Sequence, residues 1–400
     1  MGATKDLREW QKTALIKWIS NNNRGVVSVA TGGGKTIFAF MAFRELNEKA
    51  ILLVTVPTEA LQDQWIVNIT EELGIPEDQI GLLNSKSTDK NIKKANVIII
   101  NSARNLLISE EMKSKIFLVV DECHRSGSYE NSKSLIGQWG STLGLSATPE
   151  RQYDDGYDRY IKNTLGEIIF SYTVAEAIRD GVLTPFELIN VEVPLTEREL
   201  EEHNKLTKRI SKLIAMNSSD TDESNEKLES LLRLRAKNYQ NAMSRVPVTI
   251  RLMDALHGSR TIIFHESISA VDRISRILKE RNHSVVTYHS KIGSKIRRDN
   301  LRMFRKGISN VLVTCRALDE GLNVPETEVA IISSATSSDR QRIQRLGRVL
   351  RPSKGKKSAT VYTLFATEIE KKRLQDESGL MPDLVSTRWQ AVQVANVHNS

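Results

Sequence analysis

The chain has 400 residues, of which 40% are hydrophobic and 26% charged, a globular composition at a length suited to two α/β domains rather than one. A net charge of +8 suits a polyanionic partner without requiring one. Cys123 and Cys315 are the only cysteines, so a disulfide framework or zinc ribbon is excluded.

The predicted elements begin with an amphipathic helix over Leu7–Ser20, in which Trp10, Ala14, Leu15 and Trp18 recur at helical spacing. A strand over Gly25–Ala30 runs into Thr31-Gly-Gly-Gly-Lys-Thr36 and a helix from Ile37 to about Glu48. Then follow a strand at Ala50–Val56, a helix over Thr58–Leu73, and strands at Val97–Ile100, Phe117–Val120 and Thr142–Leu145. Alternation of this kind predicts a mostly parallel sheet with helices on both faces. Between Thr196 and Ala242 the strand signals vanish; charged helical residues, broken at Asn217–Ser224, predict a helical hairpin. It is either a spacer or an element that contacts a duplex.

Alternation then resumes. Strands are predicted at Thr261–Phe264, Val285–Tyr288, Asn310–Thr314, Val329–Ser333 and Ala359–Phe365, with helices at Ala270–Arg281, Lys295–Arg305 and Asp339–Leu346. The expected organisation is a first domain over 1–180, a second over 181–370 that includes the hairpin at 195–243, and a charged, polar tail over 371–400. The N-terminal segment has no signal-peptide core, and the apolar runs are only strand-length, so a cytoplasmic protein without membrane contact is expected.

Chemistry concentrates first in the glycine-rich turn. Backbone N–H groups of Thr31, Gly32, Gly33 and Gly34 are suited to wrapping phosphate oxygens, and the following helix N-terminus adds positive potential. In this pattern Lys35 reaches the β/γ-phosphates of ATP and Thr36 ligates Mg²⁺. Val29 stands where the generic pattern has its first glycine. Asp121-Glu-Cys-His124 directly follows an apolar strand, a position that directs carboxylates into the ligand crevice. Asp121 is the expected Mg²⁺ residue and Glu122 the base that orients water. His124 is either a packing histidine or a link to the second domain.

Taken together, these motifs resemble superfamily 2 helicases along most of the chain. The style is that of type I and III restriction motor subunits and of phage and Rad-type DNA repair helicases. The resemblance implies two RecA-like (P-loop NTPase) domains, each a mostly parallel sheet flanked by helices, with a helical insert between them. Arg8-Glu-Trp-Gln11 is similar to the adenine-reading element, with Gln11 on the base. Val56-Pro-Thr-Glu-Ala-Leu-Gln-Asp-Gln-Trp65 and Asn101-Ser102 resemble the motifs that touch the nucleic-acid backbone. Pro57, Thr58, Gln64, Ser102, Thr314 and Arg316 are the implied contacts. Ser146-Ala-Thr148 resembles the coupling motif, to which His124 is joined; the ends of that motif, Ser146 and Thr148, are its coupling residues. Thr314–Pro325 resembles motif V, with Gly321 and Asn323 near the nucleotide, and Asn323 stands where many relatives carry Asp.

Gln344-Arg-Leu-Gly-Arg-Val-Leu-Arg351 resembles motif VI. Gln344, Arg348 and Arg351 share one helical face at i, i+4 and i+7, placing two guanidiniums where an arginine finger acts on the γ-phosphate. The expected activity is ATP-dependent helicase or translocase action, with DNA favoured over RNA as the track. An RNA helicase, or a nucleic-acid-stimulated ATPase switch that does not unwind, remains the alternative. No nuclease or methyltransferase motif is present, so nuclease, methyltransferase or repair functions are expected of partner subunits.

Overall fold

The computed structural model describes residues 8–29, 33–149, 155–181, 186–216, 222–315, 327–334, 359–378 and 385–391. The chain divides into two compact units, with the change from one to the other at Leu183/Thr184.

In the first unit, helix α1 (Glu9–Ser20) buries Trp10, Ala14, Leu15 and Trp18, the stripe set by their helical spacing. Strand β1 (Val26–Val29) leads to helix α2 (Lys35–Glu45), and β2 (Ile51–Val56) to helix α3 (Glu59–Leu73). Strands β3 (Ile80–Leu83), β4 (Ala95–Ile99), β5 (Ile116–Asp121), β6 (Ser141–Ser146) and β7 (Ile168–Tyr172) complete a seven-stranded sheet of order β3-β4-β2-β5-β6-β1-β7. All its pairings are parallel. β5 is the central strand and is buried along its whole length. β5 therefore reads as one apolar run rather than an alternating one.

The second unit repeats the layered plan. β8 (Phe186–Glu192) precedes a pair of long helices, α4 (Glu197–Met216) and α5 (Asp222–Gln240). These are the predicted hairpin. Helix α6 (Arg245–Ala255), β9 (Thr261–Phe264), helix α7 (Ile268–Glu280), β10 (Val285–Tyr288), helix α8 (Ser294–Arg305) and β11 (Val311–Thr314) follow. β12 (Val329–Ile332), β13 (Ala359–Phe365), helix α9 (Glu368–Ser378) and β14 (Val385–Ala391) close the unit. The sheet order is β10-β11-β9-β12-β13-β8-β14, again parallel throughout.

Several elements depart from the sequence expectations. Ile100 starts a short helical turn, Ile100–Ala103, instead of ending a strand, so Asn101 and Ser102 sit on that turn. β3, β7 and β14 are edge strands, paired on one side only, where weak apolar alternation suffices. β14 is mostly polar, yet it pairs in register with β8 and packs Trp389 edge-on against Phe365 at 5.5 Å. The tail thus contributes a strand that its composition conceals.

A buried ion pair organises the second unit. Arg245 and Glu370 are 0% and 3% exposed, with Nη2 to Oε1 at 2.8 Å. The guanidinium also donates to the carbonyls of Tyr239, Ser333 and Leu364, so every N–H it carries is used. It joins the end of α5 to the ends of β12 and β13 and to α9. His265 is buried beside it, its pKa pushed down to about 3 by burial and then by the Arg245 charge.

Removing one partner strands the other charge. Arg245→Met is expected to destabilise the protein by about 3–5 kcal/mol. Arg245→Met/Glu370→Leu should recover most of that loss in urea unfolding. Equal losses in the single and double variants would contradict this account.

Candidate nucleotide site

The first unit brings the predicted chemistry to the C-terminal ends of β1 and β5, the edge at which open parallel sheets bind ligands. Gly34 caps α2 at φ +107°, a left-handed conformation. A Cβ there would come within 3.0 Å of Gln11 Nε2, so glycine is required twice over. No side chain caps α2, which leaves its first-turn N–H groups for an external acceptor. Arg8 Nη1 donates to Gly33 O at 2.7 Å and Gln11 Nε2 to Gly34 O at 3.2 Å. α1 is thereby fastened to the turn, and Trp10 is fixed by stacking on Tyr172 at 5.4 Å.

Lys35, first residue of α2, extends to Glu122, with Nζ to Oε1 at 3.1 Å and both side chains at least four-fifths buried. Thr36 follows, half-buried, in the same first turn. Glu122 holds φ +49°, a left-handed conformation that costs a non-glycine residue about 1 kcal/mol or more. The strain turns the chain sharply at the end of β5, so that consecutive carboxylates face one site.

Asp121 is buried, and its two oxygens are held separately. Trp65 Nε1 donates to Oδ2 at 2.8 Å, and the Glu122 backbone N–H donates to Oδ1 at 3.0 Å. Burial raises the Asp121 pKa most, followed by the Glu122 charge; Lys35 and the two hydrogen bonds act against the rise. Burial also raises the Cys123 thiol, so this cysteine is an inert packing residue. His124 Nδ1 lies 2.9 Å from Ser146 Oγ and 3.5 Å from Glu122 Oε2. Ser146 Oγ accepts from the Thr148 backbone N–H at 3.1 Å. A line of polar contacts therefore runs from Asp121 through Glu122 and His124 to the residues after β6.

This arrangement fits a nucleotide and a divalent cation. A lysine and an uncapped helix N-terminus offer positive charge to phosphates, and the buried Asp121 carboxylate keeps a raised pKa even with Lys35 acting against the rise. No cluster of three or more His, Cys, Asp or Glu able to hold a metal by itself occurs among the described residues, so a cation here would take other ligands from phosphate and water.

The remaining sequence candidates are more dispersed. Thr58 is the N-cap of α3, its Oγ1 accepting from Leu61 N at 3.3 Å. Pro57 and Ser102 are half-buried. Gln64 is buried in the first unit and Thr314 in the second, at the end of β11. Thr31, Gly32, Arg316, Gly321, Asn323, Gln344, Arg348 and Arg351 lie outside the described residues. Trp65 was not singled out from the sequence as a site residue. Its position seven residues after Thr58, beside Gln64, was visible there; its contact with Asp121 was not.

Comparison with known proteins agrees with this geometry. Residues 4–151 match the family model for the type III restriction enzyme res subunit, and residues 244–353 match the helicase conserved C-terminal domain. The DNA 3'-5' translocase XPB2 of Sulfurisphaera tokodaii is 27% identical, over 86% of this chain and 79% of that protein. A putative DNA 3'-5' helicase Rad25 of Haloarcula marismortui is 25% identical, over 90% of this chain and 53% of its own length. The chain thus spans about half the length of the second of these relatives. In fold it resembles the Pyrococcus furiosus Hef helicase domain, at TM-score 0.54 and 16% identity over 93% of this chain and 98% of that one. It also resembles Saccharomyces cerevisiae Dbp5 bound to RNA and ADP BeF3, at TM-score 0.62 and 14% identity over 96% and 90%.

The chain carries both of these family-model domains and is similar to the superfamily 2 helicases. Its two sheets are the RecA-like domains of that superfamily, and its enzyme class is that of the nucleic-acid-dependent ATPases. No helix among the described residues is long and apolar enough to cross a membrane.

The raised pKa of Asp121 has a measurable consequence. A carboxylate whose folded pKa exceeds its unfolded value favours folding below the unfolded pKa and loses that advantage as pH rises through the folded one. At neutral pH without a cation, ionised Asp121 therefore weighs against the fold. Asp121→Asn should abolish Mg²⁺-dependent ATP hydrolysis, and the melting temperature of the metal-free wild type should fall relative to that of this variant as pH rises from about 4 to 7. A difference between the two proteins that does not change with pH would refute the assigned burden.

Proposed function

We propose that this helicase is a DNA motor that hydrolyses ATP at the turn between β1 and α2. The observation that carries the reading is the Lys35–Glu122 pair beside the buried Asp121, at the start of an uncapped helix. Lys35 and the N–H groups from Thr31 to Gly34 bind the phosphates. Thr36 and Asp121 would hold Mg²⁺, whose charge offsets that of the β/γ-phosphates when bound. Glu122 orients the attacking water and accepts its proton. In the present geometry Glu122 is engaged by Lys35; phosphates that draw Lys35 away would free the carboxylate to meet water.

Arg348 and Arg351 supply the charge that stabilises the transferring phosphoryl group, and Gln344 a neutral hydrogen-bonding amide, roles supported by their spacing and by the C-terminal helicase match. Gly321 and Asn323 line the nucleotide on the same grounds, as do Arg8 and Gln11 from α1. His124, Ser146 and Thr148 carry the response to hydrolysis, supported by their hydrogen bonds. Pro57, Thr58, Gln64, Ser102, Thr314 and Arg316 serve the nucleic acid. DNA is favoured because the relatives are named DNA translocases and helicases. Binding is mainly to phosphates and falls with salt. Repair or restriction subunits are the fitting partners, in a cytoplasmic setting.

Lys35→Ala and Glu122→Gln should each lower nucleic-acid-stimulated ATP turnover by ~100-fold or more without loss of cooperative unfolding. Arg348→Ala should lower kcat far more than it raises KM for ATP. The test is ATPase measurement with single-stranded, duplex and branched DNA and with RNA. Stimulation by RNA alone would overturn the DNA assignment, and normal turnover by Glu122→Gln would overturn its role as base.

A further inference from the structure

Trp65 is fully enclosed, at 1% exposure, yet its polar atom is spent on one acceptor. Its Nε1–H donates to Asp121 Oδ2 at 2.8 Å. Packing alone would be served equally well by an aromatic ring without an N–H. A hydrogen bond to a carboxylate is stronger than one to a neutral acceptor, and here it is directional, because the other oxygen is held by the Glu122 backbone. The ring is also clamped. Phe40, on α2, meets it edge-on at 5.5 Å and 86°.

The placement of Trp65 joins three segments. Phe40 lies on the helix that begins with Lys35, and Asp121 ends the central strand. Trp65 itself lies on α3, whose N-cap is Thr58. Seven residues of helix separate Thr58 from Trp65, a rigid span of about 10 Å. Strand binding at the start of α3, the role proposed for Thr58, would bear on the indole N–H and on Asp121 through that span.

We propose that Trp65 is a positioning residue, whose indole N–H fixes the orientation of the Asp121 carboxylate toward the divalent cation and transmits strand binding at the start of α3 to that cation. This rests on the reading of the site as a nucleotide–metal centre. Trp65 touches neither nucleotide nor metal; it acts through Asp121.

The test is Mn²⁺ binding to the full chain with ADP present, followed by electron paramagnetic resonance, with and without single-stranded DNA. In the wild type, Mn²⁺ binds and DNA tightens its binding. Trp65→Phe, which keeps a ring and removes the N–H, should weaken Mn²⁺ binding at least fivefold and reduce the DNA effect to less than twofold. Phe40→Leu loosens the packing around the ring but leaves the N–H, and should stay within twofold of the wild type. Should Trp65→Phe not unfold cooperatively, the benzothiophene isostere of tryptophan at position 65 is measured against the same thresholds. Mn²⁺ affinity within twofold of the wild type in the variant lacking the N–H overturns the proposal. So does equal weakening by Phe40→Leu, which would make the role one of packing, and so does a wild type whose Mn²⁺ affinity DNA leaves unchanged. A wild type that binds no Mn²⁺ with ADP would instead bring down the nucleotide–metal reading, and this inference with it.

Discussion

The carboxylate of Asp121, buried at the end of the central strand β5, is the constraint around which the first domain is arranged. An ionised group there is unfavourable unless it is hydrogen-bonded and neutralised. The fold supplies the hydrogen bonds, from Trp65 and from the Glu122 backbone. Lys35 supplies part of the neutralisation, and the proposed cation would supply the remainder. The strained conformation of Glu122 follows from the same demand, because only a sharp turn after β5 presents two consecutive carboxylates to one site. The domain thus accepts a local cost for a site that becomes favourable once its ligand is present.

The second domain solves a similar problem without a ligand. Arg245 is buried completely, but Glu370 and three backbone carbonyls satisfy it. Its partners lie at the ends of β12 and β13 and at the base of the helical hairpin, elements far apart in sequence. Where Asp121 carries a pKa raised by burial and by Glu122, every N–H of Arg245 has an acceptor. That contrast separates a site built for exchange from a junction built for rigidity.

The central strands were legible in the sequence because burial on both faces demands continuous β-branched and apolar runs; β9 and β13 were readable to the residue, as was the apolar edge strand β10. The edge strand β14 was not, since one open side relaxes that demand and lets residues such as Ser386, Thr387 and Arg388 into a strand. β8 escaped for another reason. It mixes Glu187 and Asn190 with apolar residues and lies inside the second sheet only because β13 and β14 flank it, both contributed from the far end of the chain.

The same division holds for chemistry. Sequence by itself determined the identity and order of the groups in the first unit: the glycine-rich turn ending in Lys35 and Thr36, and the Asp121–Glu122 pair after an apolar strand. These are local patterns, fixed by what a phosphate-binding turn or a strand end requires of consecutive residues. Tertiary structure alone decided which distant side chains complete them. Trp65 reaches Asp121 across 56 positions and Arg245 reaches Glu370 across 125. A hydrogen bond between distant residues leaves no periodic mark in either segment, because its geometry exists only once the helices have packed on the sheet.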